Sequence, residues 1–205
     1  MDSLKKRLTY FGGGALLILA IGATAAYFII ANSRVSVDAS TIQAPLINLS
    51  PTVPGRLDAV YVNAGDMVAA NTPVASVGTQ VITSKVAGLV VSVNDIVGAE
   101  VSPGASIVTM IDPSALRVVG KVDENKGLSD IQVGDPVIFT VDAFGSQEFK
   151  GIVDEIAPIS NTADIVFSVS DNRATQSFNV KARFDTSAYP QLKNGMSTRM
   201  LIYKN

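Results

Sequence analysis

The chain contains no cysteine, no histidine and no tryptophan. Without a thiol or an imidazole, disulfide frameworks, thiol nucleophiles, Ser-His-Asp hydrolysis and ordinary zinc sites are excluded by inventory. Any catalysis would have to come from carboxylates, lysine, tyrosine or hydroxyls. Charge of one sign is missing as well: 16 Lys+Arg stand against 18 Asp+Glu, a formal net charge of −2. Neutralising a phosphate backbone needs clustered basic residues, so nucleic acid is not a partner this composition supports. At 205 residues the chain is long enough for one or two compact domains. Its mean hydropathy is high for a soluble protein, and one segment carries the excess.

Residues 11–31 read FGGGALLILAIGATAAYFIIA, 21 residues without a charge. As a helix they span about 32 Å, the thickness of a bilayer core. Lys5, Lys6 and Arg7 precede the segment and only Arg34 follows it closely. The positive-inside rule therefore leaves residues 1–10 in the cytoplasm and everything from Asn32 onward outside it, a single pass through the cytoplasmic membrane. A cleaved signal peptide is the competing reading, because Ala23, Thr24 and Ala25 form a small-residue cleavage pattern. Apolar residues Tyr27 to Ile30 run on past that point, as an anchor requires and a signal peptide does not.

The remainder, with 13 basic and 17 acidic residues, is mildly acidic and reads as a β-protein. Short alternating runs such as RLDAVYV, GLVVSV, LRVVGKV, PVIFTV and TRMLIY are separated by Gly, Asn, Asp and Pro. Only residues 124–131 suggest a short helix or turn, and heptads are absent.

Residues 51–79 superpose without gaps on residues 84–112, a constant offset of 33. Val53 matches Val86, Gly55 matches Gly88, Val60 matches Val93, Gly65 matches Gly98 and Val68 matches Val101. Leu57 with Val90, Val74 with Ile107 and Val77 with Met110 keep the apolar class. Both glycine pairs fall where turns or strand starts are expected, Gly65 and Gly98 at turns that call for positive φ. Each copy reads as a strand, a Gly turn, a short strand and a strand.

These two half-motifs resemble the halves of a biotinyl/lipoyl domain, a flattened barrel of two interlocked β-layers. Carrier members of that family attach biotin or lipoate to a lysine in the hairpin between the halves. Here residues 77–83, VGTQVIT, contain no lysine. Lys85 is the nearest amine and is expected in the opening strand of the second half, so no cofactor is expected.

Taken together, the opening PTVPGRLDAVYVNAGDMV, the second half SKVAGLVVSVNDIVGAEVSPGASIVTMID, the following LRVVGKVDENKGLSDIQVGDPVIFTVDAF with FKGIVDEIAPIS, and the closing LKNGMSTRMLIY with Gly195 and Met196 resemble the HlyD-type membrane fusion proteins. These are periplasmic adaptor subunits of efflux and secretion pumps. Most of them carry a long α-helical hairpin between the lipoyl halves, where this chain has only Gly78, Thr79 and Gln80. The resemblance implies a short, non-enzymatic adaptor that assembles as a homo-oligomeric ring with a cytoplasmic-membrane transporter of ABC or major facilitator type. An anchored extracytoplasmic binding or scaffold module is the alternative.

The expected organisation is mostly β: a transmembrane helix over 11–31, first strands of a membrane-proximal domain in 32–50, a lipoyl-like flattened barrel over 51–114, a small β-barrel over 115–160, and the rest of the membrane-proximal β-domain in 161–205. Strands are expected at 35–42, 178–184 and 198–203, with residues 161–177 as an exposed polar loop or hairpin. Asp123-Glu124 and Asp154-Glu155 are paired carboxylates. Neighbours in a strand point to opposite faces, so neither pair is expected to converge on a substrate or metal. Gly12, Gly13 and Gly14 lie within the apolar span, where small residues favour close helix packing rather than phosphate binding. No catalytic, cofactor-binding or metal-ligating residue is expected.

Overall fold

The computed structural model describes residues 34–161 and 176–204. The expected membrane helix over 11–31 and most of the loop over 161–177 lie outside the described residues. Among the described residues no helix is long and apolar enough to cross a membrane, and the regular structure is β with three single-turn 3-10 segments. One of these, Leu128–Asp130, lies in the expected helix or turn at 124–131.

Two units form. The first contains β2 (Leu46–Leu49), β3 (Gly55–Val60), β4 (Met67–Val68), β5 (Pro73–Val77), β6 (Gln80–Thr83), β7 (Gly88–Val93), β8 (Glu100–Val101) and β9 (Val108–Ile111). They make two four-stranded sheets, in the orders β2-β9-β7-β4 and β6-β5-β3-β8. Adding 33 residues carries β3 onto β7 and β4 onto β8, and β5 and β2 fall on β9 and β6 within two residues. The same exchange turns one sheet order into the other. Each half thus lends its short strand to the other half's sheet. Leu57, Val74, Val77, Val90, Ile107 and Met110, the apolar repeat positions, fill the space between the sheets. The repeat begins one strand earlier than its sequence signal: β2 belongs to this unit and not to a membrane-proximal domain.

The second unit is a closed barrel in the order β1-β10-β13-β12-β11-β14, with β1 (Arg34–Gln43), β10 (Arg117–Asp123), β11 (Pro136–Val141), β12 (Glu148–Asn161), β13 (Ser177–Phe184) and β14 (Ser197–Tyr203). This corrects the expectation of a small barrel over 115–160 beside a separate membrane-proximal domain. β10, β11 and β12 cannot close on themselves, and the strands on either side of them in sequence complete the cylinder. Barrel closure removes every exposed strand edge. Inward positions alternate along each strand, with Val137, Phe139 and Val141 on β11 and Thr198, Met200 and Ile202 on β14, all at most 2% exposed. Phe139 stacks on Phe149 with centroids 5.5 Å apart, and Tyr189 meets Phe149 edge-on at 5.1 Å.

One backbone device recurs four times. Turns over 63–66, 96–99, 132–135 and 193–196 each hold a glycine in third place, with φ of 99° at Gly65, 93° at Gly98, 102° at Gly134 and 89° at Gly195. The glycine N–H donates to the carbonyl of Val90, Leu57, Val153 and Ile42 respectively, at 2.7–2.9 Å. The N–H of the same four residues returns a bond to Asp66, Ala99, Asp135 and Met196 at 2.8–2.9 Å. All four clipped residues are at most 1% exposed. A side chain at the glycine would force a conformation L-residues rarely adopt, which explains glycine at each turn. In the barrel the two clips relate β11 with β12 to β14 with β1. The N-terminal strand therefore occupies the place that a strand following β14 would take.

Register sets the direction of the molecule. Arg34 pairs with Tyr203 at one end of the barrel, and Gln43 pairs with Arg117 at the other. The chain passes to the lipoyl-like unit through residues 44–45 and back through 112–116, both at the Gln43 end. The start of β1 and the end of β14 lie together at the opposite end.

Candidate functional site

The apex of the lipoyl-like unit is the β5–β6 hairpin. Its two-residue loop is Gly78-Thr79, with Gly78 at φ 53° in the first position as a tight hairpin turn requires. The Gly78 N–H donates to the Arg56 carbonyl at 2.9 Å. Thr52 and Gln80 lock the neighbouring loop to it: the Thr52 N–H donates to Gln80 Oε1 at 3.1 Å, and Gln80 Nε2 donates to Thr52 Oγ1 at 3.0 Å. The turn carries no amine. Lys85 lies in the exposed bend between β6 and β7 rather than in a strand, because β6 ends at Thr83 and β7 starts only at Gly88.

Three of the four paired carboxylates are surface ion-pair partners. Asp123 Oδ2 accepts from Lys126 Nζ at 2.9 Å, and that bond together with the charge of Asp123 raises the Lys126 pKa. Asp154 accepts from Arg117 Nε at 2.8 Å and faces Arg183 Nε at 3.6 Å. Glu155 accepts from Lys181 Nζ at 2.9 Å. The expectation that Asp154 and Glu155 point to opposite faces is wrong. A register shift between Val153 and Glu155 inserts Asp154 as an extra residue, so Val153 points inward while both acids reach cations on the outside. Asp123, Asp154 and Glu155 are compensated by these cations and Glu124 is exposed to solvent, and among the described residues no group of His, Cys, Asp or Glu is arranged to hold a metal ion.

The groups with a positional task sit where the two units join. Ala44 N–H donates to Asn194 Oδ1 at 2.9 Å, pinning the outgoing connection to the 193–196 turn. Arg117 Nη1 donates to the carbonyls of Ser114 at 3.0 Å and Leu116 at 2.8 Å, while its Nε holds Asp154. The returning connection is thereby tied to β12. Asp112 caps the single turn of this connection, accepting from the Ser114 N–H at 2.9 Å and its hydroxyl at 2.7 Å. On one side of the junction opens a cleft of about 790 Å³ lined by both units, and on the other a smaller one of about 420 Å³ beside Arg117 and Asp154. Sequence reasoning missed Arg117, Asn194 and this cleft. Nothing in a Gly turn or an Arg at a strand start marks either residue as a pin.

No family model matches the chain, and no curated protein matches it in sequence. Solved structures do. ZneB from Cupriavidus metallidurans superposes with a TM-score of 0.67 at 16% identity, over 84% of this chain and 99% of that one. The membrane fusion protein Spr0693 from Streptococcus pneumoniae R6 gives 0.62 at 16% identity over the same shares. The periplasmic adaptor protein EmrA gives 0.57 at 12%, again over 84% and 99%. The chain therefore has the fold of a membrane fusion protein and a periplasmic adaptor, with a two-residue turn between its lipoyl halves.

Proposed function

We propose that this chain is a short, non-enzymatic HlyD-type membrane fusion protein: an adaptor held in the cytoplasmic membrane by residues 11–31, with its bulk outside the cytoplasm. It assembles as a ring with a cytoplasmic-membrane transporter of ABC or major facilitator type and helps form an export path for drugs or other small molecules. One observation carries this reading: a two-fold repeated lipoyl-like unit without a lysine at its apex is joined to a barrel whose first strand follows the apolar span directly. A carrier domain needs an amine at that apex, and the hairpin turn of Gly78 and Thr79 presents none. The start of β1 beside the end of β14 supports a barrel standing on the membrane with the lipoyl-like unit held away from it.

The missing hairpin limits reach. The turn of Gly78 and Thr79 cannot extend toward a second membrane, so the adaptor acts close to the first. Affinity purification of the full chain from crosslinked membranes tests the assignment. Recovery of a polytopic transporter, together with loss of export when the chain is deleted, is the expected result. A chain that purifies without a transporter and whose deletion leaves export intact would favour an anchored binding or scaffold module.

A further inference from the structure

The larger junction cleft has the make-up of a ligand site. Its walls are aliphatic: Leu89 and Val91 from β7, Ile111 at the end of β9, Leu116 from the returning connection and Leu192 from the loop before β14. Ile111, Leu116 and Leu192 are buried, and Leu89 and Val91 pack against the barrel core, so the walls are held from behind. Four polar residues, Thr186, Ser187, Lys193 and Asn194, complete the lining. Among the described residues Lys193 is the only charged one of the lining. Among the described residues it has no acidic partner: the nearby carboxylates of Asp185 and Asp112 accept from the Ser187, Ala188 and Ser114 N–H groups at 2.9–3.2 Å. A volume of about 790 Å³ behind mostly apolar walls, with a few polar residues in the lining, falls in the range of small-molecule sites.

We propose that this cleft binds a single-chain amphiphile with an anionic head, its tail against Leu89, Val91, Ile111 and Leu116 and its head at Lys193 and the Ser187 hydroxyl. The tail removes apolar wall from water, and the unpaired ammonium selects the sign of the head. Because both units contribute walls, an occupant touches the returning connection and biases how the units sit together. The inference stands apart from the adaptor assignment, since it requires only the cleft.

The absence of cysteine makes a direct test available. Ser187→Cys places a single thiol in the cleft lining of the full chain in nanodiscs of zwitterionic lipid, and its alkylation rate by a maleimide is measured with hexanoate, octanoate, octan-1-ol or octyltrimethylammonium. Octanoate slows alkylation, binding tighter than hexanoate by up to about fourfold per added methylene. Octanol protects less and the cationic amphiphile does not protect. With each rate normalised to its own unliganded value, Lys193→Gln in the same background lowers octanoate protection to the octanol level. A thiol at Thr79, on the apex turn, reports effects of amphiphile in the membrane and stays unprotected. Equal slowing at Thr79 and Ser187, equal protection by every head group, protection that survives Lys193→Gln, or no protection at all would each overturn the proposal.

Discussion

Gly55 and Gly88 are equivalent by the two-fold repeat, yet the structure predicts opposite responses to the same substitution. A Cβ on Gly88 would come within 2.7 Å of the Ile111 carbonyl oxygen and 2.9 Å of Met110 Cε. That carbonyl is backbone, held in the β7–β9 ladder by the pairing of Leu89 with Ile111. It cannot yield without displacing the strand that leads into the barrel. On Gly55 the same Cβ would meet only Val77 Cγ1 at 3.0 Å, with backbone no nearer than 3.7 Å. A valine methyl can give by a few tenths of an ångström. Overpacking costs about 1–3 kcal/mol, whereas replacing a strand glycine by alanine contributes roughly 0.5–1 kcal/mol in favour of folding. The backbone gain is common to both variants, so Gly88→Ala is expected to lie below Gly55→Ala by the overpacking cost, about 1–3 kcal/mol. At about 2–4 °C per kcal/mol for a chain of this size, the unfolding midpoints separate by roughly 2–12 °C. Full-length variants in mild detergent, melted and followed by far-UV circular dichroism, measure the gap. Coincident midpoints, or a lower midpoint for Gly55→Ala, would refute the argument that a backbone contact and not the repeat position decides.

A Cβ on Gly65 or Gly98 meets no atom within 4 Å, so the positive φ is what opposes Gly65→Val and Gly98→Val. Each should cost about 1–3 kcal/mol, a fraction of a typical domain's stability, lowering the melting midpoint without abolishing folding. A reporter fused after Asn205 should be active only outside the cytoplasm, and the protein should resist alkaline extraction; recovery of a soluble form starting near Ala26 would identify a cleaved signal peptide instead. Asp130 is held below the ordinary aspartate range first by the hydrogen bond from Lys204 and then by that from Ser129. A lowered folded pKa contributes stability above the unfolded value and loses it as pH falls through the folded one, so the tie between the 128–130 turn and the chain end should weaken only in acid. Carboxyl NMR titration should show Asp130 returning upward in Lys204→Met. Asp123→Asn and Glu124→Gln should leave both fold and export intact; loss of export with a native spectrum would call for a catalytic site.

The β class, the two-fold repeat and the glycine turns are legible in the order of residues alone. An alternation of period two states which face of a strand is buried, and a duplication with an uninterrupted offset of 33 leaves matched glycines and aliphatics in line. The order of residues also showed an apex turn without lysine. What it could not state is which strands are neighbours, because the ladder is made of backbone groups common to every residue. The barrel shows this most plainly. Residues 134–141 and 195–202 are related by an offset of 61, but only Gly134 and Gly195 are identical, and the partner strand of the second copy is β1, at the other end of the chain. No constant offset exists to find. The same holds for Asp154 and Glu155, where one inserted residue reverses the face that alternation assigns. The junction was decided last: Arg117, Asn194 and Lys193 acquire their tasks only when two connections, far apart in sequence, are brought side by side between the closed barrel and the paired sheets.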